Sequence, residues 1–340
     1  MFINTSNLLF FNMLILGTLI TISSSTWLGC WIGLEINLLS FIPLMNKNSQ
    51  FSSESSLKYF LIQALASAIF LVSVLMVSFL NNSLYMNSSL SQILFLIMSS
   101  TLLLKMGAAP FHFWFPGVLE GLSWLNSLIL MTWQKIAPFL ILSYIMNNYL
   151  LINLSILLSV IIGSVGGLNQ TSLRKIMAYS SINHLGWMLA TLLINNNYWI
   201  LYFIIYSFLS LTMILLFNSW NINHILQVYN LSENKFIMLM LFCNLLSMGG
   251  LPPFLGFLPK WLVIQILVIN NFLVLSILMV IFTLLALFFY IRIAYPAFLM
   301  NCSEIKFINL LNYKFPPFIL ILTSLNIFGL SLSPFMNTFL

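Results

Sequence analysis

The chain has 340 residues, 61% of them hydrophobic and only 5% charged, with eleven lysines and arginines against five acidic residues. A soluble domain carries about 25% charged residues, so this chain cannot clothe a surface in water. Its class is an all-α polytopic membrane protein. The positive balance reflects scarce acids, which points to membrane topology and gives no reason to expect nucleic acid.

A bilayer core takes about 20 apolar residues per helix. That ruler predicts eleven spans, at 7–23, 25–45, 58–80, 90–120, 122–146, 149–169, 176–194, 198–218, 236–269, 272–300 and 316–335. The first basic residue is Lys47, so neither a secretory signal nor an arginine-rich presequence is expected. The second span carries Glu35, and the fourth carries Lys105 followed by "GAAPF", Gly107 to Phe111, and then His112. The fifth holds Lys135 near Pro138, and the seventh holds His184 at mid-span. The ninth is broken at "GLPPF", Gly250 to Phe254, and carries Lys260 after Pro259. Arg292 lies near the end of the tenth, where its long stem can snorkel.

The loops test this topology. On the N-terminal side they hold Lys47, Lys58, Arg174, Lys175, Lys235, Lys306 and Lys314, with Glu54, Glu120, Glu233 and Glu304; the opposite loops carry no charge. The positive-inside rule places the charged side in the cytoplasm or matrix, with the C-terminus on the other face. Glu120 closes the loop after the first break and reads as a solvated acid or a point of proton uptake. Cys30, Cys243 and Cys302 are far apart and form no C-x-x-C, which argues against a zinc or Fe–S cluster built by this chain alone. No G-x-G-x-x-G follows a strand-like run, so no dinucleotide fold is expected.

Both broken spans read G-x-x-P-F and lie five helices apart. Five is odd, so two five-helix units run in opposite senses: 1–146, then 149–300, with 316–335 as a final helix. Paired Gly/Pro-interrupted spans in two inverted halves are the best sequence pointer to a transport site. Proline removes the hydrogen bond to the carbonyl four residues back, which offers acceptors to the neighbouring ammonium groups. A lysine at a helix centre costs roughly 2.5–3.5 kcal/mol on the insertion scale. Three of them with Glu35 are an expensive set for packing alone. Burial disfavours the charged amine and a carboxylate restores it, so a lysine held between the two exchanges its proton when a neighbour moves. Glu35, Lys105, Lys135 and Lys260 are therefore the expected proton relay, with His112 and His184 as candidate members. Glu35 as a structural counter-ion and His112 as a polar plug of the break remain the plainer alternatives. Nothing in the histidine spacing asks for haem.

"WIGLEINLLSFIP" (31–43), "LLLKMGAAPFHFWFPGVLEG" (102–121), "LMTWQKIAPF" (130–139), "LRKIMAYSSINHLGW" (173–187) and "GGLPPFLGFLPKW" (249–261) resemble the antiporter-like membrane subunits of respiratory complex I, and within them the mitochondrial chain 2 type. Usage of Phe, Ile, Leu, Met and Asn resembles that of A/T-biased arthropod mitochondrial genomes. The resemblance implies an ion pair of Glu35 with Lys105 in a first half-channel and places Lys135 on a central hydrophilic axis. It puts Lys260 at the second broken helix and His112 and His184 on or near the axis. It implies an inner-membrane location with the N-terminus in the matrix and the C-terminus in the intermembrane space. The partners are other membrane-arm subunits and lipids such as cardiolipin. It assigns NAD, FMN, Fe–S clusters and ubiquinone to other subunits, leaving no cofactor on this chain. Bacterial relatives carry about three further N-terminal helices, so neighbouring subunits would seal the first unit here. A free-standing cation/proton antiporter and a structural membrane spacer are the competing functions.

Overall fold

The computed structural model describes residues 5–46, 49–82, 88–145, 149–194, 198–229, 235–299 and 317–332. Lys47, Glu233, Glu304, Lys306, Lys314 and Cys302 lie outside them. Among the described residues the regular structure is helical, apart from one isolated bridge between Ser172 and His224. The chain opens with the hairpin α1 (Thr5–Ser23) and α2 (Trp27–Met45). Thr26 caps α2 by accepting the Gly29 N–H at 3.2 Å. Then come α3 (Gln50–Asn82), α4 (Ser88–Met106) and α5 (Trp114–Gly121). The next helices are α6 (Trp124–Met131), α7 (Trp133–Tyr144), α8 (Tyr149–Val165), α9 (Leu173–Ile194) and α10 (Tyr198–Ser219). The short α11 (Ile225–Tyr229) leads to α12 (Lys235–Gly249), α13 (Phe257–Ile269), α14 (Leu273–Leu299) and α15 (Pro317–Phe328).

Among the described residues the expected spans contain helix, though not eleven uninterrupted ones. Six apolar segments among the described residues are long enough to cross a membrane unaided: Thr5–Ser23, Trp27–Met45, Gln50–Phe79, Trp124–Tyr144, Tyr198–Ser219 and Leu273–Tyr295. α9 is not among them. It carries Ser180, Ser181, Asn183, His184 and Thr191, and all five are buried inside the protein. Polar side chains at membrane depth are tolerated where protein, not lipid, surrounds them. α9 is thus the central helix of the bundle.

Both expected breaks are real, and they are built alike. α4 ends with Gly107 at φ +73°, and α12 ends with Gly250 at φ +81°. At the first, the Gly107 N–H bonds Leu104 O at 3.1 Å and the Ala108 N–H bonds Leu103 O at 3.0 Å. At the second, the Gly250 N–H bonds Ser247 O at 3.0 Å and the Leu251 N–H bonds Leu246 O at 3.4 Å. This is the left-handed glycine cap that closes a helix and turns the chain aside. The Trp114 indole N–H then reaches Leu104 O across the first break at 3.1 Å.

One span departs from expectation. The stretch 122–146 reads as continuous, yet it is interrupted at Thr132, three residues before Lys135. The Thr132 hydroxyl donates to Leu128 O at 2.7 Å, the back-bonding that bends helices. The Lys135 N–H takes Thr132 O at 3.1 Å in a tight turn. Each of the three intramembrane lysines therefore sits beside a helix discontinuity. α15 is fastened by polar contacts: the Asn326 side-chain amide donates to Thr212 Oγ1 at 2.6 Å and Asn244 Oδ1 at 2.7 Å, and the Asn326 backbone carbonyl receives the Leu255 N–H at 3.0 Å.

A candidate proton-conducting site along the buried lysines

Lys105, Lys135 and Lys260 are 8%, 1% and 7% exposed, so none snorkels to a surface. α4 and α7 bring Lys105 and Lys135 to one small cavity of about 20 Å³, whose polar lining includes Asn37, Tyr59, Gln63 and Gln134. A cavity needs about 10–15 Å³ of this kind to admit one water. The polar lining is tied together. The Tyr59 hydroxyl donates to Gln134 Oε1 at 3.4 Å, the Gln134 amide to Asn37 Oδ1 at 3.1 Å, and the Gln63 amide to Lys105 O at 3.2 Å.

Glu35 is half-buried on α2, and Lys105 is buried on α4. The two are not in direct contact: among the described residues the ion pairs within 4 Å are Glu54–Lys58 and Glu120–Lys175. The ion pair implied by the resemblance is therefore not formed among the described residues.

Lys135 is the most isolated of the three. Its Nζ has no hydrogen-bond partner among the described residues. Two rings hold the charge instead, with the centroid of Phe115 5.1 Å away and that of Tyr206 5.3 Å away, within cation–π range. Tyr206 also packs on His184 at 5.0 Å. His184 Nδ1 lies 2.8 Å from the Tyr202 hydroxyl. The imidazole lies within electrostatic reach of Lys260, Lys135 and the backbone of Met248, one residue before the end of α12. The next carbonyl, that of Gly249, accepts the Lys260 ammonium at 2.7 Å. An acceptor freed at the break for Lys260 is what the sequence led us to expect. Contacts thus run from Lys105 through the small cavity to Lys135 and on through Tyr206 to His184, while Lys260 is held at the second break.

His112 stands apart from this order. Its Nδ1 lies 3.2 Å from Pro110 O and its ring lies on Phe113 at 4.3 Å, both local to the first break. Arg292 bonds the carbonyls of Leu168 and Gln170 and so ties α14 to the turn after α8. Glu120 pairs with Lys175 at 2.8 Å, while Arg174 binds Glu120 O at 2.8 Å and Asn223 Oδ1 at 2.9 Å. Sequence reasoning missed Asn37, Tyr59, Gln63, Gln134, Tyr202 and Tyr206. Three of them carried a signal: Gln134 adjoins Lys135, and Tyr202 and Tyr206 share a face at i, i+4.

Residues 24–286 match the family described as NADH:quinone oxidoreductase/Mrp antiporter, TM. The NADH-ubiquinone oxidoreductase chain 2 of Anopheles gambiae is 55% identical over 332 residues, covering 96% of this chain and 96% of its own length. That of Locusta migratoria is 47% identical over 307 residues, covering 89% of each. Among solved structures, a chain of respiratory complex I from Thermus thermophilus superposes with a TM-score of 0.82 at 24% identity, covering 97% of this chain and 80% of that one. A chain of the Mrp complex from Dietzia superposes at 0.73 and 15% identity, covering 83% of this chain and 58% of the other. These last two share the fold. With a family match over most of its length and near full-length relatives above 45% identity, the chain belongs to the NADH-ubiquinone oxidoreductase chain 2 family.

Proposed function

We propose that this chain is an antiporter-like membrane-arm subunit of respiratory complex I and that Glu35, Lys105, Lys135, His184 and Lys260 relay protons through its interior. The observation that carries the reading is Lys135, an ammonium 1% exposed with no hydrogen-bond acceptor among the described residues. Intramembrane ionisable groups default to function, and an unpartnered one is costly as mere structure. No fixed acceptor has to be broken for its proton to leave. The small cavity gives it a route to Lys105, and the Tyr206 ring and His184 connect it electrostatically with Lys260. The alike breaks at Gly107 and Gly250 support two inverted five-helix units, 1–146 and 149–300, around this axis, with 316–335 as a final helix. His112 is a member only through the first break that it steadies.

Redox chemistry belongs to other subunits in this reading. NADH oxidation and ubiquinone reduction there shift the charge that Glu35 and Lys105 feel, and the relay answers by moving protons. The chain sits in the mitochondrial inner membrane, with the charged loops and N-terminus facing the matrix and the C-terminus facing the intermembrane space. Other membrane-arm subunits, and cardiolipin at the basic face, are its partners.

Lys105→Met and Lys135→Met test this. Each should lower the protons moved per NADH in sealed vesicles while the complex assembles. An unchanged ratio in both, with assembly checked, would make the chain a structural spacer. Native electrophoresis with NADH-dehydrogenase staining separates the other alternative, since migration apart from the large NADH-oxidising band would mean a free-standing antiporter.

A further inference from the structure

The two broken helices are fastened differently. At the first break the Trp114 indole N–H, at the start of α5, bonds Leu104 O in α4 at 3.1 Å. At the second, the bond between the halves is made by the reacting group: the Lys260 ammonium of α13 donates to Gly249 O, the end of α12, at 2.7 Å. Charge makes such a bond roughly twice as strong as a neutral one. When an Nζ–H bond breaks and the proton passes to the next base of the relay, the neutral amine keeps two N–H donors and loses that charge. Lys260 therefore holds the break least firmly at the moment it reacts.

A second fastening comes from outside the broken helix. Asn326 of α15 reaches both sides of the break. Its side-chain amide donates to Asn244 Oδ1 on α12 at 2.7 Å, and its backbone carbonyl receives the N–H of Leu255, in the segment leading into α13, at 3.0 Å. The same amide donates to Thr212 Oγ1 on α10 at 2.6 Å. Asn326 and Asn244 are 0% exposed, so breaking their bond leaves a buried polar group unpaired. The intervening segment is also pressed into place. A Cβ on Gly256 would collide with Ser247 O of α12, and one on Gly329, just past α15, would collide with the Leu255 side chain. Leu255 O then accepts the Leu258 N–H at 3.2 Å, in the first turn of the helix that carries Lys260.

Docking of α15 alone would need bonds to any neighbour. The bonds of Asn326 instead join α12 to the segment before α13, across the gap that Lys260 bridges. We infer that Asn326 is a positioning residue for proton transfer at Lys260: it holds the two halves of the second broken helix in register while the lysine leaves Gly249 O and returns to it. The inference rests on the relay reading above. It gives α15, the helix outside both five-helix units, a part in the proton cycle of the second unit.

The test compares near-isosteric variants in the assembled complex, as protons moved per NADH in sealed vesicles. Asn326→Leu and Asn244→Leu remove the tie across the break. Thr212→Val removes only the tie to α10, and its own hydroxyl otherwise bonds Leu209 O within that helix. The expected result is a fall toward the level of Lys260→Met for both asparagine variants, with NADH oxidation continuing and Thr212→Val at the wild-type ratio. Equal falls for Asn244→Leu and Thr212→Val, each matching its loss of thermal stability, would overturn the proposal, because Asn326 would then only dock α15. A wild-type ratio for Asn244→Leu beside a lowered Lys260→Met would overturn it too and leave the relay standing. Lys260→Met at the wild-type ratio would remove Lys260 from the relay, and this inference with it. If Asn326→Leu does not assemble, Asn244→Leu and Thr212→Val carry the comparison by themselves.

Discussion

Gly250→Ala bears on how the second break holds Lys260. Gly250 has φ +81°, and a side chain in the left-handed region costs about 1–2 kcal/mol. A Cβ there would also lie 2.8 Å from Lys260 Cδ, 3.0 Å from Nζ and 3.1 Å from Cε. The lysine is the flexible partner and must move, which takes Nζ off Gly249 O, now 2.7 Å away. A hydrogen bond to a charged group contributes about 1.5–3 kcal/mol, so the two effects together come to about 2.5–5 kcal/mol. At Gly107, with φ +73°, the added Cβ meets only Phe115 side-chain atoms at 3.1–3.2 Å. There the backbone cost of about 1–2 kcal/mol stands nearly alone. Thermal inactivation of the assembled complex should therefore shift more for Gly250→Ala than for Gly107→Ala, and protons per NADH should fall with it. Lys260→Met has no ammonium to displace, so adding Gly250→Ala to it should cost only the backbone part. An equally large loss in that background would refute the link between Gly250 and Lys260, because contacting residues must show coupling in such a cycle.

Lys135→Met removes a buried donor that has no acceptor; thermal stability should hold or rise by about 1–3 kcal/mol while pumping falls, and a clear loss of stability would point to a partner that Lys135 does not have here. Tyr202→Phe takes away the hydroxyl 2.8 Å from His184 Nδ1. It should lower protons per NADH with assembly intact, and a wild-type ratio would exclude this hydroxyl from the relay. Asn326→Ala severs the bonds to Thr212 and Asn244 and should destabilise the docking of α15 by about 1–3 kcal/mol, read as faster proteolysis of the C-terminal segment; unchanged cleavage would show that apolar contacts alone hold this helix. On the charged face, Glu120→Gln breaks an ion pair with Lys175 whose side chains are 48% and 32% exposed, so its effect on thermal inactivation should stay within about 1 kcal/mol. Arg174→Ala, which loses Glu120 O, Asn223 Oδ1 and the Trp124 ring, should cost more, and the reverse ranking would contradict the geometry.

The amino-acid sequence alone settled the solvent of this protein and the positions of its two glycine-capped breaks. Five per cent charge leaves no aqueous surface, and a Gly-x-x-Pro-Phe inside an apolar run has no continuous helix to offer. It also singled out Glu35, Lys105, Lys135, His184 and Lys260, because charge and imidazole inside a span are costly enough to be conspicuous. What connects them was not legible. Asn37, Gln134, Tyr59 and Tyr206 are ordinary polar and aromatic residues on four different helices, and only packing brings them to the lysines. The bend at Thr132 was hidden for a related reason: threonine is unremarkable in an apolar run until its hydroxyl takes the carbonyl four residues back. Glu35 and Lys105 show the same limit, since a pattern gives a pair its charges while the spacing of α2 and α4 decides whether they touch. α9 shows it from the other side. Its polar residues made it the weakest span by composition, and burial at the centre of the bundle made it the helix that carries His184 between two lysines.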